Sequence, residues 1–158
     1  MEVDVEAYHR RAREGPCFVC ELVAGKEPHH VLYEDDVAIA FLNRFPTVLG
    51  YTLAAPKEHR EEVTGDFSED EYVRLQRLVH RVGEALRRAL SVERLYVLSL
   101  GSKQGNAHVH WHLFPLPPGV PYEQQQLAAL DWGPNGEKVL DVSDTEQAAL
   151  AAAIRAAL

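Results

Sequence analysis

His108-Val109-His110-Trp111-His112-Leu113-Phe114 places three histidines at alternate positions of an apolar run. Successive side chains of a β-strand point to opposite faces, so we predict a strand over residues 109–114 with the three imidazoles in a row on one face. Neighbouring imidazoles in that row are expected about 6.6 Å apart, twice the rise per residue of a strand. Burying such a row for structure alone is costly, because each ring needs partners for both nitrogens. The pattern therefore predicts a functional site on this strand.

Outward from this strand, short apolar runs alternate with turn residues. They predict four further strands, at residues 30–33, 37–42, 51–55 and 95–100. Ser68 and Glu71 form a capping-box pattern, and the helical spacing that follows predicts a long helix from about residue 69 to 90. A short helix is predicted at residues 18–24, and a second capping-box pattern at Ser143 and Glu146 starts a final helix. These elements predict an α+β fold: about five antiparallel strands in a half-barrel, one long helix and terminal helices.

The length of 158 residues is that of one domain. We expect an N-terminal arm at residues 1–14, the main domain at 15–118, and a C-terminal extension at 119–158 packed on the same domain. The formal net charge of −8 disfavours nucleic-acid binding. We expect a cytoplasmic protein without membrane association, because the first residues are acidic and no apolar run approaches the roughly 20 residues of a membrane helix.

The chemistry of imidazole suits attack on phosphorus near neutral pH, because its ordinary pKa is about 6.5 and much of it is unprotonated. Neighbouring histidines can hydrogen-bond the phosphate oxygens as charge develops. Two other interpretations of the row remain. One or more of the histidines can be a scaffold residue, or the row can bind a catalytic zinc ion. The zinc hydrolase ranks lower, because no acidic residue follows closely on the strand.

Cys17-Phe18-Val19-Cys20 sets two thiols on a tight turn, which is half of a tetrahedral zinc site. The alternatives are a redox pair and two plain buried cysteines. A thioredoxin-like redox pair is expected within a parallel βαβ unit, and the predicted order of elements lacks one. Residue types alone do not choose the remaining two ligands. The candidates are His9, His29, His30, His59, His80 and a member of the row.

The whole pattern resembles the histidine triad (HIT) family, whose signature is His-x-His-x-His followed by apolar residues. Four other segments occur in the family's order, so that the resemblance covers roughly residues 15 to 117. They are Cys17-Phe18-Val19-Cys20, Tyr33-Glu34-Asp35-Asp36, Ala40-Phe41-Leu42-Asn43 and Pro56-Lys57-Glu58-His59. The resemblance implies a HIT-like fold, with residues 15–118 as the HIT domain.

This resemblance also implies roles for individual residues. His110 matches the nucleophile that forms a nucleotidyl-histidine intermediate, and His112 matches a second catalytic position that contacts the phosphate. Asn43 stands at the ribose position, and Ser99 and Gln104 match polar positions beside the phosphate. Zinc-bearing bacterial members hold a structural Zn²⁺ with residues that correspond here to Cys17, Cys20, His59 and His108.

The implied function is a nucleotide hydrolase or transferase that attacks the α-phosphate. It would release a nucleoside monophosphate from dinucleoside polyphosphates, phosphoramidates or related nucleotides. The implied assembly is a homodimer with sheets joined edge to edge. One residue departs from the pattern: Tyr51 follows Gly50 where the family commonly has a histidine that supports the nucleophile. This departure motivates the alternative of a nucleotide-binding or partner-binding protein with little activity.

Overall fold

The computed structural model describes residues 3–158 and contains one antiparallel sheet. Its strands are β1 (Val31–Glu34), β2 (Ala38–Leu42), β3 (Thr52–Pro56), β4 (Arg94–Leu98) and β5 (Trp111–Leu116). Their spatial order is β1-β2-β3-β5-β4, with every neighbouring pair antiparallel. The predicted α+β fold with about five antiparallel strands is confirmed.

Strand β5 begins at Trp111 and contains His112, whereas His108 and His110 lie just before it, so the prediction of a strand from residue 109 was wrong at its start. Pairing with β3 ends where Ala54 faces Trp111. Beyond that point the Val109 N–H donates to the Arg60 carbonyl in the loop after β3, at 2.7 Å. The other four strands begin and end within two residues of their predicted bounds.

Residues 3–158 also contain five helices: α1 (Val5–Glu14), α2 (Phe18–Val23), α3 (Glu69–Ala89), α4 (Leu127–Leu130) and α5 (Asp144–Ala156). A short 3₁₀ turn at Tyr122–Gln124 precedes α4. Both predicted capping boxes are present: Ser68 with Glu71 begins α3, and Ser143 with Glu146 begins α5. No helix within residues 3–158 is both long and apolar enough to cross a membrane.

The main core lies between α3 and one face of the sheet. Leu78 and Val82 of α3 pack there with Trp111 and Leu113 of β5. Helix α5 completes this layer through Ala151 and Ile154. Its Arg155 guanidinium donates to the Val31 carbonyl at 2.8 Å, which ties the helix to edge strand β1.

The opposite face of the sheet is only partly covered. Val19 and Leu22 of α2 pack on Ile39 and Phe41, the residues of β2 that alternate with those facing α3. His112 of β5 pairs with Leu53 of β3 on one side and with β4 on the other. This leaves space beside α2 over the middle of the sheet, and the candidate site occupies it.

Candidate active site and metal centre

A pocket on this face contains His108, His110 and His112. Its walls come from α1, α2, the β2–β3 loop, the glycine loop at residues 101–105 and the segment after β5. The triad enters this space because Val109 and Trp111 are buried on the α3 side, so the alternate residues turn the other way.

His110 is held in one tautomer. Its Nδ1 lies 2.7 Å from the His108 carbonyl, and the Ser99 hydroxyl donates to the carbonyl of His110 at 2.8 Å. A carbonyl can only accept a hydrogen bond, so Nδ1 carries the proton and Nε2 keeps a free lone pair. Burial lowers the pKa of His110, while its bond to His108 acts in the opposite direction. Nε2 is therefore an unprotonated nitrogen available to an electrophile.

The ring of His112 lies beside that of His110, with centroids 4.6 Å apart. The rings thus lean closer together than the 6.6 Å expected from strand geometry. The Tyr51 hydroxyl lies 2.7 Å from His112 Nδ1. Burial raises the pKa of Tyr51 and the neighbouring Tyr8 raises it further, whereas burial and the charge of His110 lower the pKa of His112 to about 3. Tyr51 consequently donates to a neutral His112, whose proton is then on Nε2.

Asn43 stands behind Tyr51. Its Oδ1 accepts a bond from the Phe45 N–H at 2.8 Å, and its side chain also hydrogen-bonds the Tyr51 hydroxyl. Because the oxygen faces Phe45, the amide nitrogen is the group that reaches Tyr51. Asn43 lines the pocket and supports the Tyr51–His112 pair at the same time.

The other two predicted phosphate-side residues also line the pocket. Ser99 contacts the backbone of His110, as described above. Gln104 is exposed on the glycine loop, where its N–H donates to the Ser102 hydroxyl at 3.0 Å. Gly101 and Gly105 have φ values of +59° and +77°, a conformation that other residues rarely adopt.

Cys17, Cys20, His59 and His108 form a cluster whose potential ligand atoms all lie within 4.8 Å of one another. Cys17 Sγ is 3.4 Å from His108 Nδ1, Cys20 Sγ is 3.4 Å from His59 Nδ1, and Cys20 Sγ is 3.7 Å from His108 Nδ1. A tetrahedral zinc ion with ordinary Zn–S and Zn–N bonds separates sulfur and nitrogen ligands by about 3.6 Å. The four side chains have the spacing of a zinc site.

Further contacts orient these ligands. His108 Nε2–H donates to the Pro56 carbonyl at 2.8 Å, which leaves Nδ1 with its lone pair toward the cysteines. His59 Nε2 lies 3.2 Å from Glu61 Oε1, the carboxylate contact common in zinc sites. Burial and the neighbouring Cys17 raise the pKa of Cys20 to about 11, so this thiol ionises near neutral pH only when a cation lies beside it. The donor set fits zinc.

Of the candidate ligands, only His59 and His108 join the cysteines within residues 3–158. His30 instead lies 2.9 Å from Asp144, His29 contacts the Leu42 carbonyl, and His80 is exposed on α3. Of the triad, His108 alone joins a metal cluster within residues 3–158. Its Nδ1 faces the cysteines and its Nε2 faces the Pro56 carbonyl, so the three imidazoles do not share one metal position. This arrangement argues against the three-histidine zinc hydrolase.

Residues 24–118 match the HIT domain. The chain belongs to the HIT domain family. Among its relatives, an uncharacterized HIT-like protein of Saccharolobus solfataricus is 31% identical over 102 residues, which cover 63% of this chain and 73% of the relative. The adenosine 5′-monophosphoramidase of Schizosaccharomyces pombe is 28% identical over 127 residues, or 72% of this chain and 92% of the relative.

A solved structure shares the HIT fold. The zinc-bound histidine triad protein from Mycobacterium smegmatis superimposes with a TM-score of 0.67 at 23% identity, over 89% of this chain and 91% of that chain. The resemblance found in the sequence is confirmed by these matches.

Several pocket residues of this HIT protein were missed by sequence reasoning. Tyr8 and Arg11 come from α1, and Trp132 comes from the segment after β5. Asn106 also belongs with the metal cluster, since its Oδ1 accepts from the Cys17 thiol at 3.8 Å and from the His108 N–H at 3.4 Å. Only long-range packing brings the first three to the pocket. A local signal existed for Asn106 alone, an amide two residues before the triad.

Proposed function

We propose that this HIT protein is a nucleotide hydrolase or transferase that attacks the α-phosphate with Nε2 of His110. The observation that carries the proposal is the hydrogen bond from His110 Nδ1 to the His108 carbonyl, which fixes the lone pair on Nε2 in the pocket. Burial keeps the ring neutral and therefore nucleophilic.

Two displacements complete the reaction. In the first, Nε2 forms a bond to phosphorus while the bond from phosphorus to the leaving oxygen or nitrogen breaks, and an amine leaving group takes up a proton from solvent. In the second, water or another acceptor attacks phosphorus, the P–N bond breaks, and the attacking group loses its proton. His112 Nε2–H would donate to a phosphate oxygen as negative charge develops.

The remaining polar residues would bind the nucleotide. After bonding Tyr51, the Asn43 amide has a second N–H for a ribose hydroxyl. Ser99 and Gln104 would contact the phosphate, with Gln104 carried by the glycine loop. The relationship to the S. pombe adenosine 5′-monophosphoramidase supports phosphoramidates as one substrate class.

We also propose that Cys17, Cys20, His59 and His108 hold a structural zinc ion. Support comes from their spacing and from the zinc-bound fold relative. When bound, zinc would stabilise the thiolates and fix the start of β5. Two free cysteines in such a centre agree with a reducing cytoplasm.

Residues 15–118 would form the HIT domain, with residues 1–14 as an arm and 119–158 as an extension packed on it. We further propose a homodimer that pairs through the edge strand β4. That strand has one unpaired side, and Val97 is 45% exposed. Exposed edges with apolar residues favour pairing with a second chain.

Turnover by the His110→Ala variant tests the nucleophile. Adenosine 5′-phosphoramidate and a dinucleoside polyphosphate are the substrates, and His80→Ala, on an exposed part of α3, is the matched control. We expect wild-type rates from the control and loss of about a thousandfold or more from His110→Ala. Rapid quenching should trap an acid-labile nucleotidyl group on the wild type and none on His110→Ala. A His110→Ala protein that turned over these substrates as fast as the wild type and His80→Ala would refute His110 as the nucleophile.

Tyr51 favours a second candidate, a nucleotide-binding HIT protein with little activity. Its hydroxyl occupies the place where the family commonly has a supporting imidazole, and a phenol of raised pKa cannot carry a proton to and from His112 near neutral pH. Calorimetry with nucleoside monophosphates together with the turnover assay distinguishes the two candidates. Binding without turnover of any substrate would establish the second one.

A further inference from the structure

Arg11 and Arg44 are the charged side chains of the pocket. Within residues 3–158, no other arginine, lysine or acidic residue lines it. The two guanidiniums lie over the ring of Phe18, at 5.6 and 5.3 Å from its centroid. Both also pair with one carboxylate, since Arg11 donates to Glu27 at 2.7 Å and Arg44 donates to it at 3.2 Å. One acidic residue therefore holds two cations at a pocket wall.

The fold alone gives little reason for this pair of arginines. The side chains of Arg11 and Arg44 are 44% and 38% exposed, and ion pairs with such exposure contribute little to stability. Glu27 uses one oxygen for each, Oε1 for Arg11 and Oε2 for Arg44. A guanidinium carries five N–H groups. Each arginine thus keeps donors for a ligand after it has bound Glu27.

The sheet separates this wall from the catalytic histidines by two strands. Phe41 of β2 pairs with Leu53 of β3, and Leu53 pairs with His112 of β5. Cross-strand partners share one face of a sheet, and each strand lies about 4.8 Å from the next, so the backbones of Phe41 and His112 are about 10 Å apart. The Phe18 ring packs on Phe41, with centroids 6.0 Å apart. A row of side chains leads from the histidines to the ring that the arginines cover.

A nucleotide bound along this row would have its base beside the arginines. The ribose of a nucleotide lies between its phosphate and its base. With the α-phosphate at His110 and the ribose at Asn43, the base extends beyond Asn43. Arg44 is the next residue of the chain, and the flat apolar surface of Phe18 and Phe41 lines the pocket. The base and the Arg44 guanidinium would therefore share one end of the pocket.

The edges of the purine bases differ in a way that arginine distinguishes. Guanine and hypoxanthine present two neighbouring acceptors, N7 and O6, whereas adenine presents N7 beside an amino group that donates. A guanidinium only donates, and its planar fork fits the two acceptors. We propose that Arg44 binds the N7–O6 edge and makes the site selective for guanine and hypoxanthine nucleotides, an inference that rests on the proposed function because it takes the phosphate to lie at His110. Glu27 is a positioning residue, since it holds this guanidinium over Phe18.

Calorimetry with guanosine, inosine and adenosine 5′-monophosphates tests the proposal. We expect the guanosine and inosine compounds to bind the wild type with similar Kd, roughly tenfold more tightly than the adenosine compound, as is typical of one bidentate arginine contact. Inosine monophosphate has O6 but lacks the 2-amino group, so it isolates the N7–O6 edge. The corresponding 5′-phosphoramidates should show the same order in kcat/KM, with the adenosine compound remaining a substrate.

Two variants separate the charge of Arg44 from its fork. Arg44→Lys keeps the charge as a single ammonium group, so the three Kd values should come within about twofold of one another. Arg44→Met removes both charge and fork and should also abolish the preference. Glu27→Gln should weaken the preference by releasing the guanidinium. Arg81→Met is the matched control, because Arg81 lies 5.0 Å from the Tyr33 ring in the same kind of contact but on α3, outside the pocket.

Other outcomes overturn the inference. A wild type that binds the three monophosphates equally well, or an Arg44→Lys protein with the full preference, would exclude readout by the fork. A preference lost in Arg11→Met but kept in Arg44→Met would show that the wrong arginine was assigned. Failure of the proposed function is seen separately: binding with the expected preference but no turnover of any phosphoramidate would reject the activity and support the selectivity, whereas turnover without any base preference would do the reverse.

Discussion

Replacing Tyr51 with phenylalanine isolates the hydrogen bond that sets the tautomer of His112. The change removes one oxygen, which donates to His112 Nδ1 at 2.7 Å and accepts from Asn43. Both partners lose their hydrogen bond in a place where Tyr51 itself is 6% exposed. A buried polar group left unsatisfied costs about 1–3 kcal/mol, so we expect the free energy of unfolding to fall by about 2 kcal/mol.

The catalytic effect follows from the lost donor. Without the Tyr51 hydroxyl, the proton of His112 can move to Nδ1, and Nε2 would then lose its proposed hydrogen bond to the phosphate. Removing one such donor outright costs about a hundredfold or more in kcat. Tyr51→Phe keeps the His112 imidazole in the pocket and removes only the group that sets its tautomer. We therefore expect a smaller loss, roughly tenfold to a hundredfold in kcat, with KM nearly unchanged.

Steady-state kinetics on the phosphoramidate, with thermal unfolding measured in parallel, separate the two effects. Tyr51→His restores a nitrogen donor and should return kcat to within about fivefold of wild type. Tyr72→Phe, on α3 and packed against Phe67 and Trp111, is the matched control and should behave as wild type. A Tyr51→Phe protein with wild-type kcat would refute the role given to the hydroxyl.

Three further predictions concern the metal, the acid stability and the assembly. Protein purified without chelator should contain one zinc ion per chain; Cys20→Ser should abolish it and lower Tm, because a ligand present at 100 times its Kd stabilises by about 2.7 kcal/mol. If the wild-type protein contained no zinc, or kept the same Tm after its zinc was removed, the structural zinc site would be contradicted. Hydrogen bonds from Arg60 and Ser68 lower the pKa of Glu71 to about 2, so its stabilisation is complete above its ordinary pKa near 4.5 and is lost as pH falls toward 2. Urea unfolding should accordingly show Glu71→Gln less stable than wild type at pH 7, with the difference shrinking at pH 3, and a constant difference would contradict the assignment. Val97→Lys on the exposed edge of β4 should convert a dimer to a monomer in light scattering, whereas a wild-type monomer would exclude the proposed dimer.

Local chemistry made much of the fold predictable. The capping boxes at Ser68 and Ser143 begin α3 and α5 as expected, because the residues that make each cap lie three positions apart. The start of β5 was not predictable in this way. It depends on a bond between Val109 and Arg60, which are far apart in the sequence.

The candidate site likewise has parts that local sequence predicts and parts that depend on long-range packing. Cys17 and Cys20 form half of a metal site in one turn, but eight histidines offered too many choices for the other half. The family resemblance selected His59 and His108, and these are the histidines that the structure brings to the cysteines. Tyr8 and Trp132 followed no local pattern, because their position depends on how both terminal segments pack across the pocket.

The support of the two inner-facing histidines explains how equivalent residues can take opposite chemical roles. Each uses Nδ1 for support, but the partners differ: a carbonyl for His110 and a buried hydroxyl for His112. The carbonyl forces a proton onto Nδ1 and leaves a lone pair on Nε2, whereas the hydroxyl supplies the proton and leaves N–H on Nε2. The carbonyl belongs to His108, whose ring is part of the metal cluster. A zinc ion there would therefore hold the peptide that keeps His110 nucleophilic, while Tyr51 keeps His112 a donor.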